Sequence, residues 1–231
     1  MFFDPMYLVF ILPAILLAGY AQLKVRSTYA QASQYSPRSG MSGAEAASQI
    51  LRAYGLHRVG IELSEGQLSD HYDPREKVLR LSPDVYRGRS LAALGIAAHE
   101  AGHAIQDAKH YAPLVARNAI VPMASFGSSA SWIMLMAGLM INSFNLVLFG
   151  IVLFSLVVIF QLINLPVEYD ASSRAKEVLV SKGLISPDEL PIVKNVLSAA
   201  ALTYVAATLT SILTLLYYLV RFGVIGGRRE D

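Results

Sequence analysis

Four long apolar stretches, interrupted by two polar segments, organise this chain. The first runs from Met6 to Leu23 and is followed at once by Lys24 and Arg26. The second and third, Ala119–Ile141 and Leu146–Leu165, are joined by the short uncharged turn Asn142-Ser143-Phe144-Asn145. The fourth, Ala199–Val220, is rich in Ala, Thr and Leu. A helix needs about 20 apolar residues to cross roughly 30 Å of hydrocarbon, so each stretch predicts a transmembrane helix and the middle pair a hairpin. Pro122 is expected to kink the start of its helix, and the small residues Ser128, Ser129, Ala130 and Ser131 to permit close helix contact. A buried soluble hairpin is the competing reading, and the length and lack of charge count against it. A cleaved leader would carry positive charge before its apolar run, whereas here Asp4 precedes and the cations follow, so the first stretch is expected to be retained.

The polar segments carry shorter signals. Ser36-Pro37-Arg38-Ser39-Gly40 reads as a linker, and Ser42 with Glu45 has capping-box spacing, predicting a helix over 43–54 that stops at Gly55. Val59, Ile61 and Leu63 alternate with Gly60 and Glu62, predicting one strand. Val78, Leu79 and Leu81 predict a second after the turn-like Tyr72-Asp73-Pro74-Arg75. An extended substrate could add to the edge of that second strand. Ser90 is placed to cap a helix over about 91–109. The second polar segment continues helically from Val167 to Lys182 and stops at Gly183, and Ser186-Pro187-Asp188-Glu189 starts a further helix that runs into the fourth span.

Composition sharpens this picture. The 231 residues are 54% hydrophobic and 16% charged, which suits a membrane protein better than a soluble globule. The net charge is only +2 and the cations form no patch with stacking aromatics, so a nucleic-acid partner is not expected. Lys24, Arg26, Arg117, Arg174, Lys176, Lys182 and Lys194 flank one side of the spans and predict that both polar segments are cytoplasmic. Arg221, Arg228 and Arg229 argue the other way but are fewer. There is no cysteine, so any metal must be held by His and carboxylates.

The chemistry lies in His99-Glu100-Ala101-Gly102-His103. Histidines at i and i+4 share a helical face and can reach one tetrahedral zinc, while Glu100 is placed to take a proton from the attacking water. Zinc supplies Lewis acidity, which makes attack on a carbonyl feasible at neutral pH. A peptidase site needs a third protein ligand, for which His57, His71, His110, Glu168 and Asp170 are candidates. Glu168 is the strongest, because two intervening spans return the chain to the side it left. The rival reading makes Glu168 a carboxylate favoured by a helix N-terminus. His71, Tyr169, Arg174 and Tyr204 are candidate oxyanion donors, although Arg174 can instead pair with Asp170 four residues earlier and Tyr204 can be packing.

Three blocks resemble one known family. Ala97–Gln106, Ser69-Asp70-His71-Tyr72-Asp73-Pro74 and Asn164–Ser172, with Leu197–Ala206 beside them, are similar to the YugP-like bacterial membrane neutral zinc metallopeptidases, and the resemblance covers nearly the whole chain. It implies a layout like that of the HtpX-like and prenyl-protein membrane peptidases, with a glutamate after a transmembrane hairpin as third ligand, which carries over to Glu168. Those relatives have an Asp four residues further on that braces the first histidine. Ser172 stands there in this chain, leaving Asp170 or Asp73 as candidates for that role.

The expectation is a mainly α, multi-pass helical protein with about four transmembrane helices and a small cytoplasmic zincin-like α+β domain. Its order is a first span (1–23), the motif segment (24–117), a transmembrane hairpin (118–165), helices carrying the third ligand (166–198), a fourth span (199–222) and a tail (223–231). The expected activity is a zinc metalloendopeptidase of a bacterial inner membrane, with one Zn2+ ion, a peptide or protein substrate and the lipid bilayer as partner. Two alternatives compete with it. A site-2-type intramembrane protease would bury the motif helix in lipid, but the apolar stretch around it is short and no later Leu-Asp-Gly motif appears. A non-enzymatic zinc-stabilised scaffold would have no use for Glu100.

Overall fold

The computed structural model describes residues 4–66 and 69–225, so Arg228 and Arg229 lie outside the described residues. The described chain is mainly helical. Helix α1 (Pro5–Ala32) is followed by α2 (Gly43–Ala53), strands β1 (Gly60–Leu63), β2 (His71–Asp73) and β3 (Val78–Leu81), and the short α3 (Pro83–Tyr86). Then come α4 (Leu91–Ala108), α5 (Ala112–Met140), α6 (Phe144–Ser181) and α7 (Leu190–Arg221). Four of these, α1, α5, α6 and α7, are long and apolar enough to cross a membrane. All four extend beyond the apolar stretches that predict them, because charged and polar turns continue the same helix at one end. Pro166 does not interrupt α6. Glu168 therefore sits deep inside a 38-residue helix and not near a helix start, which removes the helix-terminus explanation for that carboxylate.

Two compact units divide the chain. One comprises the described residues within 1–20, 116–165 and 203–231. In it α5 and α6 form a hairpin packed through glycine: a Cβ on Gly127 would lie 2.9 Å from the Leu153 carbonyl oxygen, and one on Gly150 only 3.0 Å from the Leu135 nitrogen. Small residues at such crossings let helix backbones approach where lipid offers no hydrophobic drive for association. Ser131 is buried there, and its carbonyl oxygen lies 3.1 Å from the same Gly150 position. Large apolar side chains such as Phe126, Trp132, Met140 and Phe149 point outward, as spans facing hydrocarbon require.

The other unit comprises 21–115 and 166–202. At its centre lies α4, with fourteen of eighteen residues buried. Its Ser90 cap accepts from the Ala93 N–H, as expected. The Ser42–Glu45 capping box at α2 is complete, Ser42 N–H donating to Glu45 at 2.7 Å and Glu45 N–H to the Ser42 hydroxyl at 3.3 Å. Gly55 and Gly183 end their helices in the left-handed region, with φ of 72° and 65°, where a side chain would be strained. The core joins Ile50 and Leu51 of α2, Leu79 and Leu81 of β3, Leu94 and Ile105 of α4, and Val178 and Leu179 of α6.

The sheet has three strands where the hydrophobic pattern predicts two. Their order is β1-β3-β2, with β1 parallel and β2 antiparallel to β3. The additional strand is only His71-Tyr72-Asp73, too short and too polar for an alternating pattern to reveal. It is held by its pairing to β3 and by the Tyr72 hydroxyl, which donates to Asp107 of α4 at 2.7 Å. Because β3 is paired on both sides, it has no free edge, and the idea that substrate adds to it is corrected: the edges belong to β1 and β2.

The outward side chains of the first unit predict a simple labelling pattern. In a chain without cysteine, Trp132→Cys should resist a water-soluble maleimide in native membranes and react once denatured, while Tyr54→Cys should react in permeabilised membranes. Rapid labelling of Trp132→Cys in native membranes would remove the lipid-facing assignment.

Candidate metal centre

The histidines project from α4 one turn apart, with ring centroids separated by 4.8 Å and planes nearly perpendicular. Gly102, between them, sets how closely the next helix can come. A Cβ there would lie 2.8 Å from the Ala171 carbonyl oxygen of α6, so the two backbones meet at a point with no side chain between them. That crossing places Glu168, one turn before Ala171, against both rings. Its Oε2 is 3.2 Å from His99 Nε2 and 3.6 Å from His103 Nε2. All three side chains are at most 12% exposed.

The three donors fit a zinc ion. Their ligand atoms lie within 4.8 Å of one another, and two nitrogens with one carboxylate oxygen suit zinc in a chain with no thiolate. Two ligands each about 2.0–2.1 Å from a tetrahedral zinc stand about 3.4 Å apart, the spacing that the 3.2 and 3.6 Å separations bracket. Burial alone would push the Glu168 carboxyl up, but hydrogen bonds from His103 and His99, and their charge, hold it far below the ordinary carboxylate range. Burial disfavours the charged form of His103, yet the Glu168 hydrogen bond and the nearby charge of Glu100 raise its pKa. The carboxylates thus favour positive charge beside the imidazoles, proton or metal alike.

The other ring nitrogens are held from behind. His99 Nδ1 lies 3.1 Å from the Ser172 hydroxyl, and His103 Nδ1 lies 2.9 Å from Gln106 Oε1. Gln106 is fully buried and donates both amide hydrogens, to the Val167 carbonyl and to Asp170 Oδ2, each at 2.8 Å. Arg174 Nε donates to the same Asp170 oxygen at 2.5 Å, and its guanidinium lies over the Tyr111 ring at 5.8 Å. Glu100, 8% exposed, has no hydrogen-bond partner among the described residues.

Of the third-ligand candidates, Glu168 alone joins the histidines. His57, His71 and His110 are exposed, and His71 Nδ1 lies 2.8 Å from the Ser69 carbonyl. Asp170 acts on Gln106 instead of contacting the imidazoles. Asp73 accepts from the Arg75 and Glu76 N–H groups and from Arg80, so it builds the β2–β3 turn. Tyr169 is half exposed, and Tyr204 belongs to the other compact unit. Two residues at the site were not assigned these contacts from sequence. Ser172 itself touches the first histidine, in the place for which Asp170 and Asp73 are the sequence candidates, and Gln106 touches the second. The signals were spacings, i+4 from Glu168 for Ser172 and i+3 from His103 for Gln106, but many polar residues stand at such offsets without bonding.

Comparison with known proteins places these residues in context. The profile of a family described as "Putative neutral zinc metallopeptidase" matches residues 7–223. The "Putative membrane protease YugP" of Bacillus subtilis (strain 168) is 45% identical over 226 residues, which cover 98% of this chain and all of that protein. No solved structure matches the chain significantly.

The close crossing at Gly102 carries a prediction. Gly102→Ala should push the backbones of α4 and α6 apart at a cost of about 1–3 kcal/mol, seen as a lower melting temperature and weaker zinc retention against a chelator. Unchanged melting and zinc retention would show that the crossing does not set the site.

Proposed function

Because this chain belongs to that neutral zinc metallopeptidase family, we propose that it is a membrane-embedded metalloendopeptidase in which His99, His103 and Glu168 hold one zinc ion and Glu100 is the general base. The observation that carries this reading is the convergence of two imidazoles and one carboxylate from α4 and α6. A zinc ion held there supplies the Lewis acidity that activates water and polarises a peptide carbonyl.

The chain's own residues do the rest. Glu100 follows the first ligand on α4, is nearly buried and is not engaged by another donor. It is available to take the proton from the attacking water and to pass it to the departing amine. Three protein donors leave one position for water or substrate, the pattern of a catalytic and not a structural site. Ser172 and Gln106 hold the imidazoles from behind, so the rings need not reorient during turnover.

The motif helix is enclosed by protein and is not among the four helices long and apolar enough to span a bilayer, which disfavours the site-2-type reading. The positive-inside pattern of Lys24, Arg26, Arg117, Arg174, Lys176, Lys182 and Lys194 supports a cytoplasmic site in a bacterial cell membrane. A peptide or protein is the substrate class.

Two substitutions separate binding from chemistry. Glu100→Gln should keep zinc bound and lower peptide turnover roughly a hundred- to ten-thousand-fold. Glu168→Ala should lose zinc as His99→Ala does, in metal analysis of detergent-purified protein. Undiminished turnover in Glu100→Gln, or full zinc occupancy in Glu168→Ala, would end the assignment of that residue.

A further inference from the structure

Lys176 is half-buried, and among the described residues its ammonium makes neither a hydrogen bond nor an ion pair. Arg80 and Arg174, cations of comparable burial in the same unit, are both paired, to Asp73 and to Asp170. No acid stands three or four residues from Lys176 on α6, where Ser172, Ser173, Leu179 and Val180 lie. Its side chain lines a cavity of about 230 Å³ between α6 and α7. We propose that this cavity is a substrate subsite in which Lys176 receives a carboxylate of the peptide, on an acidic side chain or at the chain end. The proposal deepens the peptidase reading and rests on it.

The lining suits such a ligand. An ammonium only donates and a carboxylate only accepts, so the two are complementary, and a cation drawn part-way out of water gains most from an anionic partner. Ser198, on α7, adds an exposed hydroxyl to the same cavity. Leu197 and Leu202 give it an apolar wall, against which the methylenes of an acidic residue can lie. Its volume falls below the roughly 300–1,000 Å³ of sites that enclose a whole small molecule. It therefore fits one residue of a longer chain.

The cavity shares a wall with the candidate metal centre. Ser172 lines it and also lies 3.1 Å from His99 Nδ1, while Tyr169, another lining residue, follows Glu168 directly. Lys176 stands about two turns beyond Glu168 on α6, about 12 Å along the axis. Helical side chains lean toward the helix N-terminus, here toward Ser172. An extended peptide covers about 3.3–3.6 Å per residue, which puts the recognised carboxylate about two to four residues from the scissile bond. A lipid phosphate is the other anion a cation near a span could meet. Lys182 and Lys194 are exposed, as interfacial cations are, whereas Lys176 is recessed beside a residue that touches a ligand histidine. That recess favours the peptide.

The test uses the full zinc-loaded chain in detergent and a decapeptide library with Glu, Gln or Lys fixed at each position in turn. Each peptide is made with an amidated and with a free C-terminus. Cleavage by the parent protein, read by mass spectrometry, should favour the peptide bearing the carboxylate over its neutral match about 10–100-fold in kcat/KM. A preference that survives amidation assigns the carboxylate to a side chain, and one that needs the free C-terminus assigns it to the chain end. Lys176→Ala should bring the ratio close to one, and Lys176→Glu should favour the Lys peptides instead. Partial misfolding lowers both rates and leaves their ratio alone, so a merely structural role would not move it. A ratio near one in the parent, or one unaltered in Lys176→Ala, overturns the proposal. So does a Lys176→Ala variant that loses only a dependence on phosphatidylglycerol in nanodiscs, the mark of a lipid site. If the parent cleaves no peptide, the proposed function fails by itself. Fluorescence anisotropy of labelled Glu and Gln peptide pools on zinc-loaded Glu100→Gln protein then decides the subsite: tighter binding of the carboxylate pool, lost on adding Lys176→Ala, supports it, and equal affinities overturn it.

Discussion

The site depends on one close approach of two backbones, where Gly102 of α4 meets the Ala171 carbonyl of α6. Helical geometry then does the placement. One turn along α6 in one direction lies Glu168, against the imidazole Nε2 atoms, and beside Ala171 lies Ser172, against His99 Nδ1. On α4, the residue three positions beyond His103 is Gln106, which reaches back across to Val167 and Asp170. A side chain at position 102 would displace all of these together. The alanines that surround the motif serve the same end, since Ala97, Ala98, Ala101 and Ala104 are all buried and keep the neighbouring elements near.

Burying ionisable groups this densely is costly unless each has a partner. Here the pairing is nearly complete. Glu168 faces both imidazoles, Asp170 is shared between Arg174 and Gln106, and Gln106 satisfies its oxygen and both hydrogens. Glu100 is the exception, nearly buried and without a hydrogen-bond partner among the described residues. Lying beside the first histidine on α4, it is the one carboxylate of the site left uncommitted. The order of the network and the freedom of that one residue are two sides of the same arrangement.

The long helices explain how a membrane protein can present such a polar centre. A span needs only about 20 residues, whereas α6 has 38 and α7 has 32. The surplus turns carry polar and charged side chains and build the unit that contains the site. Pro166 stands near the change from apolar to polar sequence, and there the helix simply continues, losing one backbone hydrogen bond. Glu168 follows two residues later, inside the same continuous helix.

Much of this was legible in the order of residues because the signals were local. The apolar runs, the capping box at Ser42 and Glu45, the Ser90 cap, the glycine stops at Gly55 and Gly183, and the i, i+4 histidines each depend on neighbours within a turn or two. Such signals survive in any context, since lipid solvation and helix geometry act on short segments. What sequence left open was set by contacts between residues far apart in the chain. β2 exists only because β3 pairs with three residues that have no strand pattern of their own. Glu168 was the strongest third-ligand candidate from sequence, but which side chains brace the imidazoles required α6 to cross α4 at a particular turn 69 residues away. Sequence determined the spans, the motif helix and the donor types. Only the tertiary structure decided that Gln106 and Ser172 hold the imidazoles, because hydrogen bonds are directional and short, and spacing along one helix does not say what the other helix brings within 3 Å.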